Sequence, residues 1–173
     1  MGTVNFFRGA ALAAAIAWLT GHAAVSVAQQ PDVQVVLTQQ KVRVGADGKE
    51  ILEPAERAAP GDVIEYRATY TNRSKDTVRN LVATLPVPRE TVYEANSARP
   101  AGALASSGGT YGPVPLKRRV RGADGREVER EVPVAEYRSL QWNVGQLAAG
   151  ASTTVSARMR LVPVGATAPA PVR

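Results

Sequence analysis

The chain has 173 residues, 21 Lys and Arg against 15 Asp and Glu, a formal net charge of +6, one histidine and no cysteine. A chain of this length supports one domain able to bury an adequate core. The lack of cysteine excludes a disulfide framework and lipid attachment through a mature N-terminal cysteine.

Arg8 precedes the apolar run from Gly9 to Leu19, Thr20-Gly21-His22 breaks it, and Ser26-Val27-Ala28 supplies small residues. That order predicts a secretory signal peptide over 1–28, cleaved after Ala28. The run is about half of the roughly 20 residues that a membrane span needs. No second apolar run follows, so no stable membrane span is expected after cleavage, and the expected location is periplasmic or secreted. Cleavage removes Arg8 and His22, which leaves a net charge of +5 and neither histidine nor cysteine. Ser-His-Asp and Cys-His catalysis need an imidazole, and zinc, copper and haem sites draw mainly on His and Cys. No enzymatic activity, catalytic residue, metal or cofactor is therefore expected.

After the polar lead-in Gln29 to Asp32, the β-branched run Val33–Thr38 predicts a first strand, with a second piece at Lys41–Val44. Asp47-Gly48 predicts a two-residue hairpin turn that sends Lys49–Glu53 back. Following Pro60-Gly61-Asp62, the residues Ile64, Tyr66, Ala68 and Tyr70 alternate with Glu65, Arg67, Thr69 and Thr71, the period of a half-buried strand. Val78–Leu85 places Leu81, Ala83 and Leu85 on one face and stops at Pro86; a short strand is expected over Thr91–Ala95.

Arg99–Pro115, rich in Gly, Ser, Ala and Pro, predicts a long loop. Leu116–Arg121 and Arg126–Val132 flank Gly122-Ala123-Asp124-Gly125 and predict a second hairpin. Gly-Ala-Asp-Gly occurs at both hairpins, read as shared turn chemistry and not as a duplicated unit. Leu140, Trp142 and Val144 then alternate with polar residues, Gly145–Gly150 is expected to turn, and Ser152–Val162 predicts a last strand with Val155, Ala157 and Met159 inward. The Ala/Pro-rich stretch 164–173 is too poor in large apolar groups to pack and is expected to be a disordered tail. About seven to nine short strands with almost no helix predict an all-β, two-sheet antiparallel sandwich over 29–163.

Taken in order, Pro60-Gly61-Asp62, the strand ending at Thr71-Asn72, Leu81 with Leu85-Pro86, and Trp142-Asn143-Val144-Gly145-Gln146-Leu147 with Gly150 form a connected series. Over roughly Val33 to Val162, with an insertion at the basic hairpin, it resembles the bacterial conserved repeat domain called domain of unknown function 11. The resemblance implies an immunoglobulin-like sandwich of exported and surface proteins, without catalytic residues. The pattern here differs from the common tandem form in showing one copy directly behind a signal peptide and no downstream anchoring signal.

The densest basic run, Lys117, Arg118, Arg119 and Arg121 with Arg130, is the candidate ligand or partner surface. Asp124, Glu127, Glu129, Glu131 and Glu136 lie opposite or nearby, so mutual pairing across the hairpin is the plainer reading. No aromatic residues interleave for base stacking, and nucleic acid is not an expected partner. Asp47, Glu50, Asp124 and Glu127 sit at turns without the dense carboxylates of a calcium loop. Trp142, Tyr66 and Tyr70 share an inward phase and read as core, and Asn72-Arg73-Ser74 matters as a glycosylation sequon only in a host that glycosylates. The leading functional expectation is contact with a protein of the cell envelope, through a sheet edge or the Arg99–Pro115 loop. The alternative is binding of an anionic envelope polymer or lipid through the basic hairpin, 117–130.

Overall fold

The computed structural model describes residues 32–122 and 125–163 and is all-β, with antiparallel pairing throughout. The expected signal peptide and C-terminal tail lie outside the described residues, as do Ala123 and Asp124 of the second turn. The strands are β1 (Val33–Val44), β2 (Glu50–Pro54), β3 (Val63–Asn72), β4 (Val78–Pro86), β5 (Thr91–Tyr93) and β6 (Leu104–Ser106). They continue with β7 (Gly112–Pro113), β8 (Lys117–Arg121), β9 (Glu127–Glu131), β10 (Ser139–Leu147) and β11 (Ser152–Leu161). No helix among the described residues is long and apolar enough to cross a membrane.

One sheet has the order β2-β1-β3-β11-β5, a second the order β4-β10-β6-β7, and β8 with β9 forms a separate ribbon. The two larger sheets share one core in a sandwich-like arrangement. Ile64, Tyr66, Ala68 and Tyr70 of β3 with Val155, Ala157 and Met159 of β11 meet Ala83 and Leu85 of β4, Ala105 of β6, and Leu140 and Trp142 of β10. Each large apolar side chain so buried contributes roughly 1.5–3 kcal/mol. The chain changes sheet between β3 and β4, β4 and β5, β5 and β6, and again between β10 and β11. In immunoglobulin domains the last two strands are neighbours in one sheet; here they lie in different sheets.

The polar groups that reach inward are satisfied. The Tyr70 hydroxyl donates to the Thr84 carbonyl and accepts from the Thr84 N–H, both at 2.8 Å, which pairs an edge position of β4. Trp142 Nε1 donates to the Pro100 carbonyl at 2.7 Å. Asn72 is fully buried: its amide nitrogen donates to the Asp76 and Leu147 carbonyls, and its oxygen accepts from the N–H and hydroxyl of Ser74. The sequon asparagine thus spends its amide on tying the β3–β4 turn to the end of β10.

Several expectations need correction. The two pieces at 33–38 and 41–44 are one continuous strand, β1. The Asp47-Gly48 turn is not a two-residue turn: Gly48 N–H donates to Gly45 O and Gly45 N–H to Lys49 O, with Gly48 at φ +77°. This is the three-residue loop in which a type I turn ends on a left-handed glycine. Gly125 at φ +81°, Gly125 N–H to Gly122 O and Gly122 N–H to Arg126 O repeat the same bonds at the second hairpin. Arg99–Pro115 is not a free loop but contains β6 and β7, with β6 paired on β10. Finally, Gly145, at φ +79°, is a bulge inside β10 and not the start of the turn; β10 runs on to Leu147.

Candidate functional site: two exposed edges

The charged hairpin is fastened to the body at its base. Leu116 and Val132 are buried, Val132 N–H donates to Leu116 O, and Leu116 N–H donates to the hydroxyl of the fully buried Tyr137 at 2.8 Å. The Tyr137 ring stacks on Tyr93 with centroids 5.9 Å apart. Beyond this anchor nearly every residue of β8 and β9 is exposed.

The register divides the five candidate cations between two faces. Lys117, Arg119 and Arg121 stand directly opposite Glu131, Glu129 and Glu127, one carboxylate for each cation. On the other face Arg118 is opposite Arg130 and Val120 opposite Val128. The Arg118 guanidinium is held by both carboxylate oxygens of Glu136, at 2.6 and 3.3 Å, and Arg121 Nε donates to Gly125 O. The structure therefore does not bring Lys117, Arg118, Arg119, Arg121 and Arg130 together on one surface. An alternating strip of this kind has little far field with which to hold a polyanion.

A second charged group lies on the outer face of the first sheet. Arg158 forks onto Glu50 with two bonds of 2.6 Å and reaches Glu65 at 3.4 Å, Arg67 pairs with Glu65 at 2.7 Å, and Arg160 pairs with Glu94 at 2.8 Å. The bidentate Arg158 bond holds the Glu50 carboxyl below its ordinary 4.5. Three guanidinium groups meet three carboxylates here, and Glu50 is tied to β11. Two further turn carboxylates, Asp47 and Asp62, are engaged as well. Asp47 accepts from the Lys49 N–H, and Asp62 accepts from Lys41 and the Ala59 N–H, which hold its pKa below the ordinary 3.8.

The third feature is the free edge of β1. β2 pairs with β1 only from Gln40 to Val44, whereas β3 pairs with it from Val33 to Val42. No described strand lies beside Val33–Gln39 on the side away from β3. Backbone bonds give the phase. Asp32 O accepts from Arg73 N–H, towards β3, and Gly45 N–H donates to Lys49 O, towards the β2 side. Because pairing direction alternates residue by residue, Val33, Val35 and Leu37 point their N–H and C=O groups at the free edge.

The same segment is uncovered on its face. Val35 and Leu37 are in register with Tyr70 and Ala68 of β3, which are 7% and 2% exposed, yet Val35 and Leu37 are each 52% exposed. The second sheet covers β3 but not the middle of β1. Val36, on the opposite face, is 47% exposed. Exposed aliphatic side chains beside unpaired backbone groups form a template for another strand.

Comparison with protein-family models, with curated proteins and with solved structures finds no match for the chain. Sequence reading did not find the β1 edge, whose only local signal was a β-branched run free of charge from Val33 to Gln40. It also missed Tyr137, a lone tyrosine outside any alternating pattern.

Proposed function

We propose that this chain is an exported, non-catalytic, immunoglobulin-like β-sandwich module of the bacterial cell envelope, acting by protein contact through the free edge of β1. The observation that carries this reading is the edge itself: an uncharged run with aliphatic side chains about half exposed and outward backbone groups that no described strand pairs with. β-strand addition uses such an edge, with main-chain bonds giving affinity and alternate side chains giving selectivity.

Kinship with the domain of unknown function 11 repeats belongs to the same proposal. In its support, the motif residues have structural work to do. Asn72 closes β3 through four bonds, Asp62 anchors the Pro-Gly-Asp turn to Lys41, and Trp142 seals the core against Pro100. The absence of His and Cys beyond residue 28 supports the non-catalytic part.

The test is capture from envelope extract at low and high salt by three forms of the protein: wild type, V35K/L37K, and R118Q/R119Q/R121Q. The proposal expects salt-resistant protein capture that the edge variant loses and the hairpin variant keeps. Salt-labile capture of polymer or lipid that the hairpin variant loses would overturn it in favour of the anionic-ligand reading.

A further inference from the structure

The β1 edge is complementary to itself. In an antiparallel pair, directly opposed residues share a face and alternate between bonded and non-bonded pairs. A second β1 approaching the same edge must therefore pair odd residues with odd residues, because the odd residues carry the outward N–H and C=O groups. A two-fold axis at Val35 meets this condition. It sets Val33 against Leu37 of the second copy, Val35 against Val35, and Leu37 against Val33.

All three opposed pairs are then aliphatic on the face of the sheet that the second layer leaves uncovered, and all are bonded pairs. The contact uses only residues 33–37, so it stays clear of β2, which ends at Pro54 opposite Gln40. On the other face Gln34 opposes Val36. Charge favours the arrangement as well. A chain of net positive charge repels its own copies, but the run Val33–Gln40 contains no charged residue, so no like charges meet at the seam.

The edges at β4, β5 and β7 are blunted against such a meeting. β5 and β7 are short, β7 contains Pro113, and the Tyr70 hydroxyl occupies the backbone of β4 at Thr84. Short strands, proline and capped backbone groups are the usual protections of a sheet edge, together with charge. The open half of β1 carries none of these.

Resting on the reading of β1 as a contact edge, we infer that its partner is a second copy of this chain, joined about a two-fold axis at Val35 so that the two five-stranded sheets become one continuous sheet. Light scattering on the purified protein across a concentration series should show the mass of two chains. V35K/L37K, which puts four like charges at the seam, should return the mass of one chain with an unchanged far-ultraviolet spectrum. Should that variant fail to fold, V35T/L37T places β-branched residues at both positions and should weaken association about tenfold, equivalent to about 1.4 kcal/mol.

Register is tested with cysteine, which the chain lacks. A bonded pair places Cα atoms about 5.5 Å apart, within the span of a short thiol-to-thiol crosslinker. V35C should be linked into a dimer by such a reagent much faster than V44C, although Val44 is the more exposed residue at 64%. One chain's mass at every concentration, a double mass that V35K/L37K retains, or equal rates for V35C and V44C would each overturn the inference. If the protein is monomeric while V35K/L37K still abolishes capture of another protein, self-pairing fails and the contact-edge reading stands. If neither association nor capture depends on Val35 and Leu37, both fail.

Discussion

The free edge of β1 and the β8–β9 hairpin are both strands with water on one side, and they differ most in where their charges lie. Along the hairpin each cation on one face has a carboxylate directly opposite, and Arg118 is gripped by Glu136. Its ends are held by buried Leu116, Val132 and Tyr137. Along β1, eight successive residues carry no charge at all, and aliphatic side chains stand half exposed beside open backbone groups. The hairpin looks like the binding surface by composition, but three of its cations stand opposite carboxylates and Arg118 is paired with Glu136. The β1 edge is inconspicuous by composition, but no described strand takes up its outward backbone groups. Unpaired capacity, more than charge density, marks a contact surface.

Substitutions ranked by expected effect sharpen that contrast. Tyr137→Ala should be the most damaging, about 3–5 kcal/mol by urea unfolding, because it removes a fully buried ring from beneath the hairpin. Tyr137→Phe keeps the ring but leaves the Leu116 N–H without its acceptor, and should cost about 1–3 kcal/mol. If both variants unfold like wild type, the hairpin is not anchored as described. Arg118→Gln should change stability by no more than about 1 kcal/mol, since its pair is partly exposed. V35K/L37K should stay within about 1 kcal/mol of wild type as a monomer, because both side chains are already half in water. An edge variant as damaging as Tyr137→Ala would show that β1 packs against something in the isolated protein.

Acidity gives a smaller, signed test. Arg158 holds the Glu50 carboxyl below its ordinary value in the folded chain, and Lys41 with the Ala59 N–H does the same for Asp62. Carboxylates with depressed folded values stabilise the fold above the ordinary carboxylate range, and that stabilisation is lost as pH falls through the depressed values. Thermal stability should therefore fall on acidification below the ordinary carboxylate range, and Glu50→Gln should flatten part of the decline. A steeper decline in Glu50→Gln would contradict the assignment.

Alternation made β3, β4 and β11 readable, because each has a full layer on one face and water on the other. Both Gly-Ala-Asp-Gly hairpins were visible from the turn residues, although the first loop, Ala46–Gly48, proved one residue longer than expected. β6 and β7 escaped notice for a physical reason. β6 lies against β10 through Ala105 and Ser106, small buried residues in a segment whose Gly, Ser and Pro content suggests a loop. Tyr137 acts through its hydroxyl and a stack, neither of which has a sequence period. The free edge was illegible in principle: composition shows that Val33–Leu37 is a strand, but only the pairing of β2, which stops at Gln40, shows that half of it has no described strand on the side away from β3.

The most direct measurement is residue-by-residue amide hydrogen exchange along β1, in dilute protein and again in the associated state. The N–H groups of Val35 and Leu37 should exchange rapidly in the dilute protein while those of Val36 and Thr38, directed at β3, remain protected, and association should protect Val35 and Leu37. Protection of Val35 and Leu37 in the dilute monomer, or their continued rapid exchange in the associated state, would contradict the edge as the contact surface.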